Sequence, residues 1–296
     1  MKNILFFGGS SLLASIWSNY WKDDFNIFMT QHQQPIEVDR MKLIKIKKIT
    51  SFLVKKIIKT HDIDLLINCV GLTSVERCEA DPIKANYLNV KIPSILANVC
   101  FQEKIRFLHI STDHLFKGTK SLRSESDIPN PINQYGVTKF RGEQEVQKNN
   151  PDSLIIRTNF FGLGPVYRPS FSDIIMKSLE KKEAINLFDD VFFTPIHVHE
   201  LAEIVFNLLK RKEKGILNVV SNERISKYEF GLLIADQMGV TKHLILKTLI
   251  SERKDLVTRP KDMSLSNHKI KTKLNFKVKS IENQLKSMIN LANRKK

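Results

Sequence analysis

The chain has 296 residues, 42% of them hydrophobic and 26% charged, which excludes a disordered or fibrous protein and suits one large or two small globular domains. Its net charge of +16 makes nucleic acid the first partner to test, yet that charge is confined to two segments: residues 40–59 hold eight basic and no acidic side chains, and residues 269–296 hold nine basic and one acidic. The rest of the chain is neutral and carries no motif for DNA or RNA, so no nucleic-acid partner is expected.

Short apolar runs predict strands over 3–7, 26–30, 36–39, 64–70, 106–111 and 154–157, each bounded by Gly, Asp, Asn or Pro. Segments of helical period between them predict helices over 12–21, 49–60, 82–101 and 136–148. This alternation specifies an α/β fold, a Rossmann-type doubly wound parallel sheet. Past Phe160 the pattern breaks at Gly162, Gly164, Pro165 and Pro169. A helix over 199–212, a strand over 215–220 and a helix over 227–238 capped by Ser226 follow. The expected division is a dinucleotide-binding domain over 1–160, with 185–212 returning to it. A smaller C-terminal lobe spans 161–184 and 213–268, and a basic segment with a terminal helix spans 269–296.

Cys69, Cys78 and Cys100 form no C-x-x-C pair, and their odd number argues for a reducing, cytoplasmic setting and against a cysteine-rich zinc site. No apolar run reaches the ~18 residues of a membrane span, so no membrane partner is expected. Met1 to Trp17 could be taken for a secretory leader, but it reads as strand, turn and helix and lacks a small-residue cleavage site.

The first predicted strand runs into Gly8-Gly9-Ser10-Ser11-Leu12-Leu13-Ala14, where a phosphate turn belongs in such a fold. Backbone N–H groups at a helix start bind a pyrophosphate when the chain approaches it closely, which makes Gly8, Ser10, Ser11 and Leu12 candidate cofactor contacts. In the G-x-x-G-x-x-G frame the chain supplies Gly8, Ser11 and Ala14. Ser11 either obstructs the phosphates or donates a hydroxyl to them, and an ordinary strand-to-helix turn fits equally well. The second strand ends at Thr30-Gln31-His32-Gln33, without the acid that binds a ribose 2′-OH. That favours NADPH, with NADH as the alternative, although no Arg stands there to grip a 2′-phosphate. Asp39 is placed to accept from the adenine amino group, or to cap a loop.

Tyr135 and Lys139 lie four apart on one face of a predicted helix. Tyr87 and Lys91 share the spacing, but only Tyr135 follows a segment, Ser111-Thr112-Asp113-His114, at the carboxyl end of a predicted buried strand. Ligands bind at such ends. A Tyr hydroxyl, with a pKa of about 10, becomes a useful acid or base near neutrality when a cation such as Lys139 lowers that value, and Thr112 can orient a substrate oxygen. His197, His199 and Glu200 suggest a metal, but no further Cys or His nearby completes a site, and none is expected.

On these residues the chain resembles the extended short-chain dehydrogenase/reductase superfamily, and within it the dTDP-4-dehydrorhamnose reductase family. The resemblance spans nearly the whole length. It rests on Ser111-Thr112-Asp113, Tyr135-x-x-x-Lys139 with Gly142-Glu143, Asn68 to Thr73, Leu88-Asn89-Val90 with Pro93, and Arg157-Thr158-Asn159. Pro195 with Glu200-Leu201-Ala202, and Arg259-Pro260 with Ser264-Leu265, carry it into the second lobe. The sequence departs from the family pattern at Ser11, His114 and Ile196-His197.

The resemblance implies NAD(P)H-dependent reduction of the 4-keto group of a nucleotide-activated 4-dehydro-6-deoxy sugar, for surface polysaccharide precursors. Thr112, Tyr135 and Lys139 would be catalytic. Cys69, Val70 and Gly71 would join Tyr135, Lys139 and the phosphate turn around the cofactor. Thr73, Asp113, Arg157 and Arg259 would bind the nucleotide sugar, with the second lobe closing over it. Related 4,6-dehydratases carry Thr-Asp-Glu where this chain has Thr112-Asp113-His114, and the absent Glu points to hydride transfer without water elimination. Alternatives are a sugar-nucleotide epimerase, or a non-catalytic nucleotide-binding subunit similar to the regulatory subunit of methionine adenosyltransferase. A homodimer is left open.

Overall fold

A computed structural model describes residues 2–294; Met1, Lys295 and Lys296 lie outside the described residues, the last two at the end of the basic C-terminal segment. The chain divides into two units. The first comprises Met1–Thr112, Asn133–Ile156 and Lys212–Leu217, and the second Asp113–Ile132, Arg157–Arg211 and Asn218–Lys296.

The first unit is built on β1 (Asn3–Phe7), α1 (Leu12–Trp21), β2 (Asn26–Gln31), β3 (Lys42–Lys45), α2 (Ser51–Thr60) and β4 (Leu65–Asn68). Next come α3 (Val75–Ala80), α4 (Pro82–Asn86), a π-helical turn (Tyr87–Lys91), α5 (Ile92–Gln102), β5 (Arg106–Ile110), α6 (Gln134–Asn149) and β6 (Leu154–Arg157). The pairings among β1 to β6 are parallel. With β11 (Gly215–Asn218) the seven-stranded order is β11-β6-β5-β4-β1-β2-β3. Strand order therefore reverses between β1 and β4, which makes the crevice beyond their carboxyl ends the topological switch point. The central strands are predominantly apolar because both faces are covered, with Asn68 and His109 as buried polar exceptions. Leu5, Phe7, Leu66, Phe107 and Ile155 pack with Val54, Ile57, Leu96 and Val146 of the helices in one core.

Two expectations change here. The strand expected over 36–39 is loop, and the third strand is β3, inside the basic segment. It lies at the sheet edge, where lysines keep a second sheet from adding on; Lys42 also covers the Phe28 ring at 5.2 Å. The helix expected over 82–101 is three pieces. Pro93 has no N–H for the carbonyl of Asn89, four residues back, and its ring would crowd that carbonyl. The chain widens into the π turn instead, with Ile92 N–H donating to Tyr87 O.

The second unit contains β7 (Phe160–Phe161), α7 (Phe171–Glu180), β8 (Ile185–Phe188), β9 (Phe192–Phe193), β10 (Ile196–His197) and α8 (Val198–Lys210). After β11 come β12 (Ile225–Ser226), α9 (Lys227–Gln237), β13 (Ile245–Thr248), α10 (His268–Leu274) and α11 (Ile281–Asn293). Its strands form small pairs, β7 with β10, β8 with β13 and β9 with β12. These pairings group 185–211 with the second unit. The basic C-terminal segment contributes α11 to that unit's core, where Ile281, Leu285, Met288 and Ile289 join Phe161, Phe193 and Phe230. No helix among the described residues is long and apolar enough to cross a membrane.

Candidate active site

The phosphate turn opens α1 at the switch point. Gly8 has φ +97°, and a Cβ there would press on the Val70 side chain and backbone, so only glycine lets β1 turn this closely past the end of β4. The turn is held by Gly8 N–H donating to Thr30 Oγ1 at 2.8 Å and Gly9 N–H to Thr30 O at 2.9 Å. Ser11 is the N-cap of α1: its Oγ accepts from Ala14 N–H at 3.0 Å, and its hydroxyl reaches the Cys69 thiol. The side chain thus satisfies one of the helix's orphan donors. Leu12 and Leu13, at the start of the helix, keep N–H groups for which no helix offers an internal partner. These features fit a dinucleotide pyrophosphate. Burial pushes the Cys69 thiol up to about 12, so it stays protonated beside the turn.

Asp39 is exposed and paired with Lys22 at 2.7 Å and Arg40 at 3.6 Å. The Lys22 hydrogen bond and charge hold its carboxyl below the usual range. Sequence reasoning passed over the neighbours of the β2 end. His32 Nε2 contacts Lys47 O at 2.9 Å and Ile46 N–H donates to Gln31 O at 2.8 Å. The exposed Lys47 and Lys48 therefore follow β3 beside the position where this fold holds an adenosine ribose.

Tyr135 and Lys139 sit in the first two turns of α6, capped by Asn133, whose Oδ1 accepts from Gly136 N–H at 2.9 Å. Both are buried, as is Thr112 just past β5. Lys139 Nζ donates to Ile110 O at 2.7 Å, which ties the helix to the end of the strand that leads into Thr112. Burial lowers the Lys139 pKa from 10.5 to about 8, partly offset by the Glu143 carboxylate. His109, buried on β5, accepts from Asn68 Nδ2 at 3.0 Å and stays neutral, its pKa held well below 6.5 by burial and then by Lys139.

Asn89 is a positioning residue whose motif the sequence showed and whose role it did not. Its Oδ1 accepts from Leu72 N–H at 2.8 Å, while its Nδ2 donates to Leu72 O and Thr138 Oγ1, both at 3.0 Å. It thereby joins the turn after β4, which carries Gly71, to α6. Gly142 allows this approach, since a Cβ there would overlap the Asn89 carbonyl oxygen.

Thr73 is exposed in the coil after β4, in the first unit. Asp113, Arg157 and Arg259 belong to the second. Asp113 is buried and accepts from Asn159 Nδ2 at 2.6 Å. Arg157 is buried with its guanidinium 5.8 Å from the Phe116 ring centre, and Arg259 Nε contacts Val257 O at 3.4 Å. The His197 and His199 rings meet edge to face at 5.0 Å, and the described residues hold no cluster of three His, Cys, Asp or Glu suited to a metal.

A doubly wound sheet with a phosphate turn at its switch point, and a Tyr-x-x-x-Lys helix beside the Thr112 strand end, define an extended short-chain dehydrogenase/reductase. The chain belongs to the RmlD substrate binding domain family, whose model matches residues 1–294, a family of sugar-nucleotide reductases. It is 31% identical over 244 residues to the probable low-salt glycan biosynthesis reductase Agl14 of Haloferax volcanii, across 79% of this chain and 80% of that one. It is 30% identical over 210 residues to methionine adenosyltransferase 2 subunit beta of Xenopus laevis, across 64% of this chain and 60% of the relative. A solved dTDP-4-dehydrorhamnose reductase from Bacillus anthracis, in complex with NADP, superposes with a TM-score of 0.83 at 20% identity, covering 98% of this chain and 100% of that one.

Proposed function

We propose that the protein reduces the 4-keto group of a nucleotide-activated 4-dehydro-6-deoxy sugar with NADPH, in the cytoplasm, for surface polysaccharide precursors. The Lys139 to Ile110 bond carries the reading, because it fixes a buried ammonium one turn from Tyr135 and beside the strand end that leads to Thr112. NADPH, when bound, supplies the hydride. Gly8, Ser10, Ser11 and Leu12, with Cys69, Val70 and Gly71, form its cradle.

Tyr135 gives its hydroxyl proton to the substrate oxygen as that oxygen gains negative charge. The Lys139 ammonium favours the phenolate left behind and holds the nicotinamide ribose, and Thr112 donates to the same substrate oxygen. Thr73, Asp113, Arg157 and Arg259 are the substrate contacts in this proposal. The departure from the family pattern at Ser11 has a structural use, since its Oγ caps α1 by accepting from Ala14 N–H.

The test mixes the protein with NADPH or NADH and a panel of nucleotide 4-keto-6-deoxy sugars, following the reduced nicotinamide absorbance. Oxidation with at least one member, faster with NADPH, is expected. Binding of NADPH without oxidation by any member would contradict the proposal.

A further inference from the structure

The second unit holds two cations on neighbouring aromatic rings that differ in one respect. Both flank β9, which pairs with β12 on one side and with Lys261 to Met263 on the other. Arg224 lies 3.7 Å from the Phe192 ring centre and spends its charge on Asp262, at 2.8 Å from Nε and 2.7 Å from an outer nitrogen. Lys227 Nζ stands 3.2 Å from the Phe193 ring centre and 4.9 Å from that of Phe171. Among the described residues it has no hydrogen-bond acceptor and no ion-pair partner.

Ring faces attract an ammonium but do not accept its three N–H bonds as oxygen does. A partly buried cation left in that state is costly, and the enclosing rings bring its pKa down to about 7 by desolvation. Asp113 and Arg259 are near enough for their charges to act on it, in opposite senses. The Asp113 carboxylate accepts from Asn159, and the Lys227 ammonium keeps an unspent set of donors. The start of α9 is not the source of this demand, because Ser226 and Glu229 close it with a capping box.

We propose that Lys227, together with Arg259, binds the diphosphate of the nucleotide sugar, with Phe193 and Phe171 holding the ammonium in place. This rests on the reductase reading, under which the diphosphate is the one ionised part of the substrate. A sugar hydroxyl could take one N–H but would leave the charge uncompensated.

The experiment is calorimetric titration of the full-length protein and its Lys227→Met variant with dTDP, UDP, the two parent nucleosides and NADPH. Met packs against the same two rings, and the NADPH titration reports whether the fold survives. The variant should bind the preferred diphosphate at least tenfold more weakly, with nucleoside and NADPH affinities within twofold of the parent. In turnover, KM for the nucleotide sugar should rise at least tenfold with kcat within threefold. Equal diphosphate affinity in parent and variant overturns the assignment of Lys227 and leaves the reductase reading standing. A parent protein that binds neither diphosphate overturns both.

Discussion

Lys139 Nζ donates to the carbonyl of Ile110 at 2.7 Å, so the helix that presents Tyr135 is pinned by its own lysine to the end of the strand that leads into Thr112. A buried cation is held in the first unit at the cost of its hydration, and its pKa falls to about 8 as a result.

In the proposed reaction the Lys139 ammonium is the form that favours the Tyr135 phenolate, so kcat should fall as pH rises through about 8. The folded pKa lies below the unfolded value, so between pH 8 and 10.5 the unfolded chain binds more protons and the stability contribution of Lys139 increases with pH. A Lys139→Met variant lacks that gain. Its turnover should drop on the order of 10² to 10⁴, and chemical denaturation at several pH values should show the parent gaining on it across that window.

Ser11 acts as a helix cap, which separates its effects on stability from those on cofactor binding. Ser11→Ala should cost about 1 kcal/mol and Ser11→Gly only a few tenths. Both variants should keep NADPH affinity within threefold, because the backbone N–H groups of the turn remain. Denaturant unfolding and fluorescence titration check the two quantities.

Asn89 links the turn after β4 to α6 through three hydrogen bonds. Asn89→Ala leaves both the N–H and the carbonyl of the buried Leu72 without these partners, a loss of about 2–6 kcal/mol at 1–3 per group. Gly142→Ala forces α6 away from the Asn89 carbonyl, at about 1–3 kcal/mol, and should lower kcat more than it changes NADPH affinity. Thermal unfolding and steady-state kinetics of the two variants read these effects.

Lys47 and Lys48 lie past β3, and the Lys47 carbonyl contacts His32 at the end of β2. Replacing both by Glu should raise the NADPH dissociation constant at least tenfold and that of NADH less than twofold, because only NADPH carries a 2′-phosphate. An equal shift for the two cofactors would remove these lysines from cofactor selection.

Much of this was legible in the residues. The strands of the sheet centre read as apolar runs because both their faces are buried, and Thr112, Tyr135 and Lys139 read through the order strand end, loop, helix. The edge strand β3 was hidden because Lys42 and Lys45 face water and Leu43 and Ile44 are only half-buried, which leaves no run to see. The apolar residues at 36 and 38 mimicked a strand that has no neighbour to pair with. The π turn was invisible because its cause, Pro93 against the Asn89 carbonyl, acts within a stretch whose apolar period is otherwise helical. Lys227 looked like an ordinary first residue of a helix; only the rings around its ammonium and the absence of an acceptor among the described residues distinguish it. The basic segments, which first suggested nucleic acid, prove to be the edge strand β3 with the loop after it and the solvent face of α2, and, among the described residues of the C-terminal segment, chiefly α10 and the loop that follows it, with Lys286 on the exposed face of α11.

The central claim is hydride transfer to a sugar carbonyl, and NADPH labelled with deuterium at nicotinamide C4 tests it most directly. Incubation with a nucleotide 4-dehydro-6-deoxy sugar, followed by mass spectrometry and proton NMR of the product, should show deuterium at sugar C4 with the parent protein and none with Tyr135→Phe. Unlabelled product from the parent, or labelled product formed as fast by Tyr135→Phe, would contradict the account.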